Sequence, residues 1–412
     1  MPSDDTTPVS KPTSLSLWAW FTSLFTTISR PQHSYDMVEK SGKKNVVVIG
    51  GGFAGGTAAR ELSKKLSASQ YNIILIDARP FYTHLPALAR IAVSAEDQLE
   101  EKALFGFEKL FHNGNGTFKQ GKVVSIAEAA PGKGGEVVLE SGERVSYSAL
   151  LIATGAIWPE IIQLPETNSA TKSHISTWRN KVEKANHVVI VGGGAVGIEL
   201  AGEIKYAYPK KKVTIIHRDS QLLNAVYPAK YRKDIERRVR SRNIELLLGD
   251  SIDLPPSENV NGISTRNGKS LPDVDLVIQA FGSKPATSFI SSLGSDVLTS
   301  SGTVRVNEFL EVVGHAGVFA GGDIIDWEEQ KQAAKAGGHA AIIVANIISF
   351  LQGQPLKKAY KGSPELILIP LGKSGGSAYL GFLWGIILGD WFAKMMKGKD
   401  LMVGMARGQR GL

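Results

Sequence analysis

Two glycine-rich turns in one chain constrain its fold more than any other feature. Gly50-Gly51-Gly52-Phe53-Ala54-Gly55 follows the apolar run at 46–49, and Gly192-Gly193-Gly194-Ala195-Val196-Gly197 follows the apolar run at 188–191. Each closes a strand and opens a helix, the context in which a GxGxxG pattern binds a dinucleotide. The first glycine allows the tight turn, the second lets backbone approach a pyrophosphate, the third lets helix and strand pack closely, and the helix N-terminus faces the anion. The spacing predicts two such units, two bound dinucleotides, and electron transfer between them.

The chain has 412 residues, enough for two or three domains. At 43% apolar and 21% charged it reads as globular, and a large share of its 44 glycines sits in loops. Cysteine is absent. That excludes a dithiol, an iron-sulfur cluster, a cysteine zinc site and any disulfide framework, and it is compatible with a reducing compartment. The net charge of +8 favours anionic cofactors and acidic lipid surfaces, and a solvated basic surface accounts for it equally.

Four segments follow from composition and pattern. Residues 1–44 read as an appendage, 45–170 with 285–360 as one nucleotide-binding domain, 171–284 as a second, and 361–412 as a C-terminal cap. In the appendage Leu17, Trp18, Phe21, Leu24 and Phe25 form one helical stripe opposite Thr22, Ser23, Thr26 and Thr27. It is short for a bilayer span, Asp4 and Asp5 precede it where a signal peptide would be basic, and Pro2 leaves no myristoylation site. Interfacial membrane binding, packing on the folded body and disorder remain open for it. Strands are expected at 73–76, 122–126, 135–139, 213–216, 276–280 and 318–320, and a long apolar helix at about 330–350.

Asp77 lies 22 residues beyond Gly55, at the end of the second strand, where an acid accepts hydrogen bonds from a ribose. The equivalent place after the second loop holds His217-Arg218. A cation there accommodates a 2′-phosphate, which leans toward NADPH or dual use, although an arginine over adenine also leaves NADH binding intact.

The order of elements is the next signal: first loop, then Leu151-Ile152-Ala153-Thr154-Gly155, then second loop, then Gly321-Gly322-Asp323. Over about residues 45–360 this resembles the two-dinucleotide flavoprotein reductases. The resemblance implies an α/β fold of two Rossmann-like FAD- and NAD(P)-binding domains, one nested in the other, plus a small cap. It implies that the first loop and Asp77 bind FAD, that Val123 offers backbone groups to adenine, that Asp323 holds the flavin ribityl chain, and that Thr154 and Gly155 belong to the same site. It also implies that Arg90 contacts flavin and that the second loop, with Gly282, binds NAD(P)H. Without cysteine, electrons must leave the flavin directly.

The runs 189–194 and 197–205, Tyr208-Pro209 and 214–217 narrow the match. They are similar to the apoptosis-inducing-factor-like family that includes the ferroptosis suppressors, as are 304–307, Gly314-His315, Lys331, Gly337 and His339. Members of that family are flavoproteins that oxidise NAD(P)H and reduce quinones at membranes. Two departures stand out: no acylated N-terminal glycine, and Ala280-Phe281-Gly282 in place of a Thr-Gly pair.

Two catalytic candidates follow. Glu199, read on the first turn of the second domain's helix, orients the nicotinamide carboxamide or restrains its ring, or is only an acid favoured by the helix dipole. Lys331 places positive charge beside the flavin pyrimidine, or is a solvated helix lysine. No Ser-His-Asp arrangement or metal-ligand cluster stands out, and cofactors carry such chemistry without one.

In the cap, Leu380, Leu383, Trp384, Ile387, Leu388 and Trp391 recur at helical spacing, with Gly381, Gly385 and Gly389 as a small-residue stripe. The pattern predicts a helix meeting a dimer partner or a membrane, or a plain core helix. Lys394, Lys397 and Lys399 after it suit anionic headgroups. The basic stretch from Arg232 to Arg242 is mixed with Asp234 and Glu236 and reads as an exposed helix face, so no specific nucleic acid partner is expected.

Together these readings predict an FAD-dependent NAD(P)H:quinone oxidoreductase, cytoplasmic and peripheral on a membrane such as the mitochondrial outer membrane or a lipid droplet, and possibly a homodimer. The alternatives are a reductase of ferredoxin or monodehydroascorbate, and a redox-sensing effector.

Overall fold

The computed structural model describes residues 42–382 and 385–412. The apolar stripe at 17–25, together with Leu383 and Trp384, lies outside the described residues.

The chain enters through β1 (Lys44–Ile49), turns at the first glycine loop into α1 (Phe53–Lys65), and returns in β2 (Tyr71–Asp77) parallel to β1. Val46, Val47 and Val48 are fully buried, as expected for a parallel strand covered on both faces. A short helix α2 (Leu88–Ile91) leads to β3 (Thr117–Gln120), which extends the sheet beyond β2. An antiparallel meander follows, β4 (Val123–Glu128), β5 (Gly135–Leu139) and β6 (Arg144–Tyr147). β7 (Ala149–Ile152) then rejoins the sheet on the other side of β1.

The chain now leaves through β8 (Ala156–Ile157) and builds a second parallel unit. Helix α3 (Asn168–Lys184), capped by Thr167, precedes β9 (His187–Val191), the second glycine loop, α4 (Ala195–Ala207), β10 (Lys212–His217), α5 (Ala229–Arg240), β11 (Glu245–Leu248) and β12 (Leu276–Gln279). The strand order is β11-β10-β9-β12.

Strand β13 (Lys284–Pro285) pairs antiparallel with β8, Ala156 opposite Pro285, and carries the chain back. β14 (Val318–Ala320) then completes the first sheet beside β7, in the order β14-β7-β1-β2-β3. The second unit is therefore inserted between two neighbouring strands of the first. Helix α6 (Ala333–Leu351) follows. It is long and apolar enough to cross a bilayer, but Ala340, Ile343, Val344 and Ile347 are buried in the core it shares with β1 and α1.

The C-terminal region corrects one expectation. The described residues 380–382 and 385–389 are not helical. β15 (Leu366–Pro370), β16 (Gly376–Leu380) and β17 (Ile386–Leu388) form an antiparallel sheet, followed by α7 (Asp390–Ala393), a wider turn over Lys394–Gly398, and α8 (Val403–Gly408). The glycines explain the difference. Gly385 has φ +75°, a turn conformation. At Gly381 a Cβ would be driven into the Glu365 carbonyl, to which the Gly381 amide donates at 2.7 Å. Such glycines are unfavourable in a helix interior and suited to a hairpin, and the apolar spacing was shared by both structures.

Candidate active site

The two glycine loops share one geometry. Gly50 and Gly192 take φ +96° and +119°, and their amides donate to the Ile76 and Ile216 carbonyls, each on the second strand of its unit. A Cβ on Gly50 would strike the Ala153 carbonyl, and one on Gly192 would lie 2.9 Å from the Ala280 oxygen. Likewise a Cβ on Gly55 or Gly197 would collide with the carbonyl of Gly50 or Gly192. At Gly52 and Gly194, the N-caps of α1 and α4, an added Cβ would meet nothing within 4 Å. Neither helix has a side-chain cap or an acid in its first turn. Two unshielded helix N-termini, reached over bare glycine backbone, fit the pyrophosphates of FAD and NAD(P)H.

The middle glycines show how the units differ. Gly51 donates its amide to Asp77 Oδ2 at 2.7 Å, and Gly193 donates to His217 Nδ1 at 3.1 Å. The residue ending the second strand thus holds the loop in both units, as a carboxylate in one and an imidazole in the other. Since His217 Nδ1 accepts, its proton sits on Nε2, which lies 3.6 Å from Asp219 Oδ2. Burial lowers the His217 pKa, with Arg218 acting in the same direction and Asp219 opposing, so the ring is neutral at pH 7. The Arg218 side chain is 84% exposed.

Thr154 and Gly155 lie where the chain leaves the first unit. Thr154 Oγ1 donates to the Ala286 carbonyl at 2.7 Å and the Ala286 amide returns to Gly155 O at 2.9 Å, which ties the outgoing and returning strands. Gly282 takes φ +85° just before the return. Val123 is buried at an irregularity in the β4–β5 pairing.

Asp323 follows Gly322, which takes φ +80° and where an added Cβ would lie 3.4 Å from that of Ala54, so this turn lies beside the start of α1. Burial raises the Asp323 pKa and Lys331 opposes it. Lys331 Nζ donates to the carbonyls of Ile325 (2.9 Å) and Trp327 (3.0 Å), and burial lowers its pKa. It is a held group, not a solvated one. The Gly322 amide donates to His339 Nδ1 at 3.1 Å, His339 Nε2 donates to Glu329 Oε1 at 2.8 Å, and Tyr360 donates to Glu329 Oε2 at 2.7 Å. Sequence spacing did not join these three side chains, which position the Asp323 turn.

Glu199 sits on the second turn of α4, not the first, and is paired with Lys397 at 2.7 Å, both side chains 11% exposed. This corrects the assignment of Lys397 to lipid headgroups: its ammonium also reaches the Leu368 carbonyl and points inward. Arg90 is likewise internal. It makes a bidentate pair with Glu203 one turn further along α4, both bonds 2.9 Å, and donates to the Gly398 and Lys399 carbonyls. That is the geometry of a brace joining α2, α4 and the C-terminal region, with four of five N–H groups taken in place of a guanidinium turned toward a cofactor. The basic stretch at 232–242 is partly tied down as well, Arg238 on α5 and Arg242 just beyond it each bonding Asp390 at 2.7 Å.

The profile of the pyridine nucleotide-disulphide oxidoreductases matches residues 44–340. The FAD-dependent oxidoreductase FVFD30 of Flammulina velutipes is 44% identical over 315 residues, covering 76% of this chain and 97% of that protein. Ferroptosis suppressor protein 1 of Homo sapiens is 32% identical over 372 residues, 88% of this chain and 95% of that protein. Apoptosis-inducing factor homolog B of Dictyostelium discoideum is 30% identical over 387 residues, with 88% and 96% covered. Among solved structures, the sulfide:quinone oxidoreductase of Aquifex aeolicus superposes with a TM-score of 0.70 at 18% identity, covering 89% of this chain and 92% of that one.

Proposed function

The chain belongs to the pyridine nucleotide-disulphide oxidoreductase family and is an FAD-dependent oxidoreductase drawing on NAD(P)H, and from that premise we propose that its electron acceptor is a quinone taken up at a membrane surface. The observation that carries this is the complete lack of cysteine in a family named for a disulphide. No protein dithiol can accept electrons, so the acceptor must be served without one. Bound FAD supplies the hydride acceptor and the onward electron donor.

The residues divide the remaining work. The first loop (Gly50, Gly51, Gly52, Phe53, Ala54 and Gly55), Asp77, Val123, Thr154, Gly155 and Asp323 hold FAD, and His339 with Glu329 keeps the Asp323 turn in place. The second loop, His217, Arg218 and Gly282 hold NAD(P)H. His217 Nε2–H can donate to a ribose hydroxyl or to a 2′-phosphate, and the Arg218 cation beside it leans the site toward NADPH or dual use. Glu199, neutralised by Lys397, presents a fixed carboxylate on α4 for orienting the nicotinamide. Lys331 supplies positive charge close to Asp323.

The C-terminal region offers the membrane face. Trp391 and Met395, one helical turn apart, are 74% and 55% exposed, with Phe382, Ile386 and Met396 also exposed, and Lys394 and Lys399 stand among them. Aromatic and apolar side chains beside ammonium groups suit an anionic bilayer interface. The resemblance to membrane-bound quinone-reducing flavoproteins supports the same acceptor.

The test is steady-state oxidation of NADH and of NADPH by the yellow protein with a short-chain quinone, with and without anionic liposomes. Quinone-dependent turnover with either nucleotide is expected, and liposomes should lower KM for a lipophilic quinone. Faster stopped-flow reoxidation by ferredoxin or monodehydroascorbate than by quinone would replace this reading.

A further inference from the structure

The end of the chain brings one more charge to the first glycine loop. Helix α8 is anchored by Val403 and Ala406, both buried, and delivers Arg410 to α1 with only 2% of its surface exposed. Its guanidinium lies 3.7 Å from the Tyr82 ring centroid and 5.4 Å from that of Phe53. Nη2 donates to the Gly52 carbonyl at 3.3 Å and Nη1 to the Ala406 carbonyl at 3.4 Å, both long bonds, and buried Nε has no partner. Among the described residues no carboxylate pairs with it, and burial lowers its pKa. A Cβ on Gly56 would sit 3.5 Å from Nε, at ordinary van der Waals contact, so the guanidinium lies against the first turn of α1.

A buried guanidinium without an anion is unfavourable, and aromatic faces offset only part of that. The anion that the first loop is shaped to receive belongs to the N-terminal end of this same helix turn: the Gly52 N-cap carbonyl takes both the Gly56 amide (2.9 Å) and Arg410 Nη2, so the guanidinium flanks the first turn of α1. We propose that Arg410 is the counter-charge for the FAD pyrophosphate, which makes the C-terminal tail part of the cofactor site. Open helix N-termini attract the pyrophosphate from one side. Arg410 adds a formal charge from the flank of α1, and Tyr82 and Phe53 fix its plane.

This rests on the reading that the first loop holds FAD. The experiment follows FAD fluorescence on dilution of full-length holoprotein, and titrates the stripped protein with FAD and with riboflavin, which has no pyrophosphate. Arg410→Gln should weaken FAD binding roughly tenfold or more, the scale of one charge-assisted hydrogen bond, and leave riboflavin unchanged. Its stripped form should melt no lower than the stripped wild type, because an unpaired buried charge has been removed. Arg410→Lys, which keeps the charge, should retain most of the affinity. Arg410→Gln holding FAD within twofold of wild type, equal losses for FAD and riboflavin, or Arg410→Lys losing as much as Arg410→Gln would each overturn the proposal. Wild-type protein that binds no FAD would instead remove the reading beneath it.

Discussion

Glu199 and Lys397 stand 198 positions apart in the chain and 2.7 Å apart in space. Removing one member of a buried ion pair leaves the other uncompensated, at a typical loss of about 3–5 kcal/mol. Glu199→Gln and Lys397→Met should each lower the urea midpoint, and the double variant should recover much of the loss. Additive losses would show that the two groups do not act as a pair. Glu199 was legible from its place just after the second loop. Lys397 was visible only as one of several lysines, because no local pattern encodes a partner on a distant element. The same holds for Arg90, whose surroundings in sequence are apolar and whose partner Glu203 lies on the second unit. His217 was more legible, since strand-end position alone puts it in the role that Asp77 plays in the first unit.

At the level of elements, the parallel strands and glycine loops were readable because each obeys a local rule: an apolar run, a tight turn, then a helix. The two loops should be separable by experiment. Gly55→Ala drives a Cβ into the Gly50 carbonyl and should yield protein purified without FAD, whereas Gly197→Ala does the same at Gly192 and should yield yellow protein that no longer oxidises NAD(P)H. Absorbance near 450 nm and a nucleotide oxidation assay distinguish them. The cap was not readable, because its apolar spacing fits helix and hairpin alike and the Glu365 carbonyl that selects the hairpin is supplied by the neighbouring strand. Docking of the tail also carries a pH dependence. His84 Nε2 donates to the Leu401 carbonyl at 2.8 Å, and burial, helped by Arg410 and Lys397 and opposed by the Leu401 bond and Asp400, lowers its pKa from 6.5 to about 4. The unfolded chain binds this proton more readily than the folded one, so the contribution is intact above pH 6.5 and falls as pH drops from 6.5 toward about 4. The loss is at most about 3 kcal/mol. Urea midpoints at pH 7 and 4.5 should therefore fall further for wild type than for His84→Asn, which keeps a donor and does not titrate.

For the whole molecule, nesting was readable through the family resemblance that the order of motifs carries, and the pairing of 318–320 beside β7 is what the structure adds. The surface chemistry also belongs to this scale. Replacing both Trp391 and Met395 by Ser should reduce sedimentation with anionic liposomes and raise KM for a lipophilic quinone in vesicles, with kcat for a water-soluble quinone unchanged; loss of that soluble activity too would place the pair in the catalytic site. Finally, the Arg90–Glu203 brace has a mechanical meaning. The ribbon between the units is two residues wide, Ala156–Ile157 against Lys284–Pro285, and the Arg90 guanidinium, held across α2, α4 and the carbonyls of Gly398 and Lys399, fastens the excursion between β2 and β3 onto the core of the second unit. With that excursion anchored as a strap from one unit to the other, the radius of gyration in solution should stay the same whether or not NADH is present.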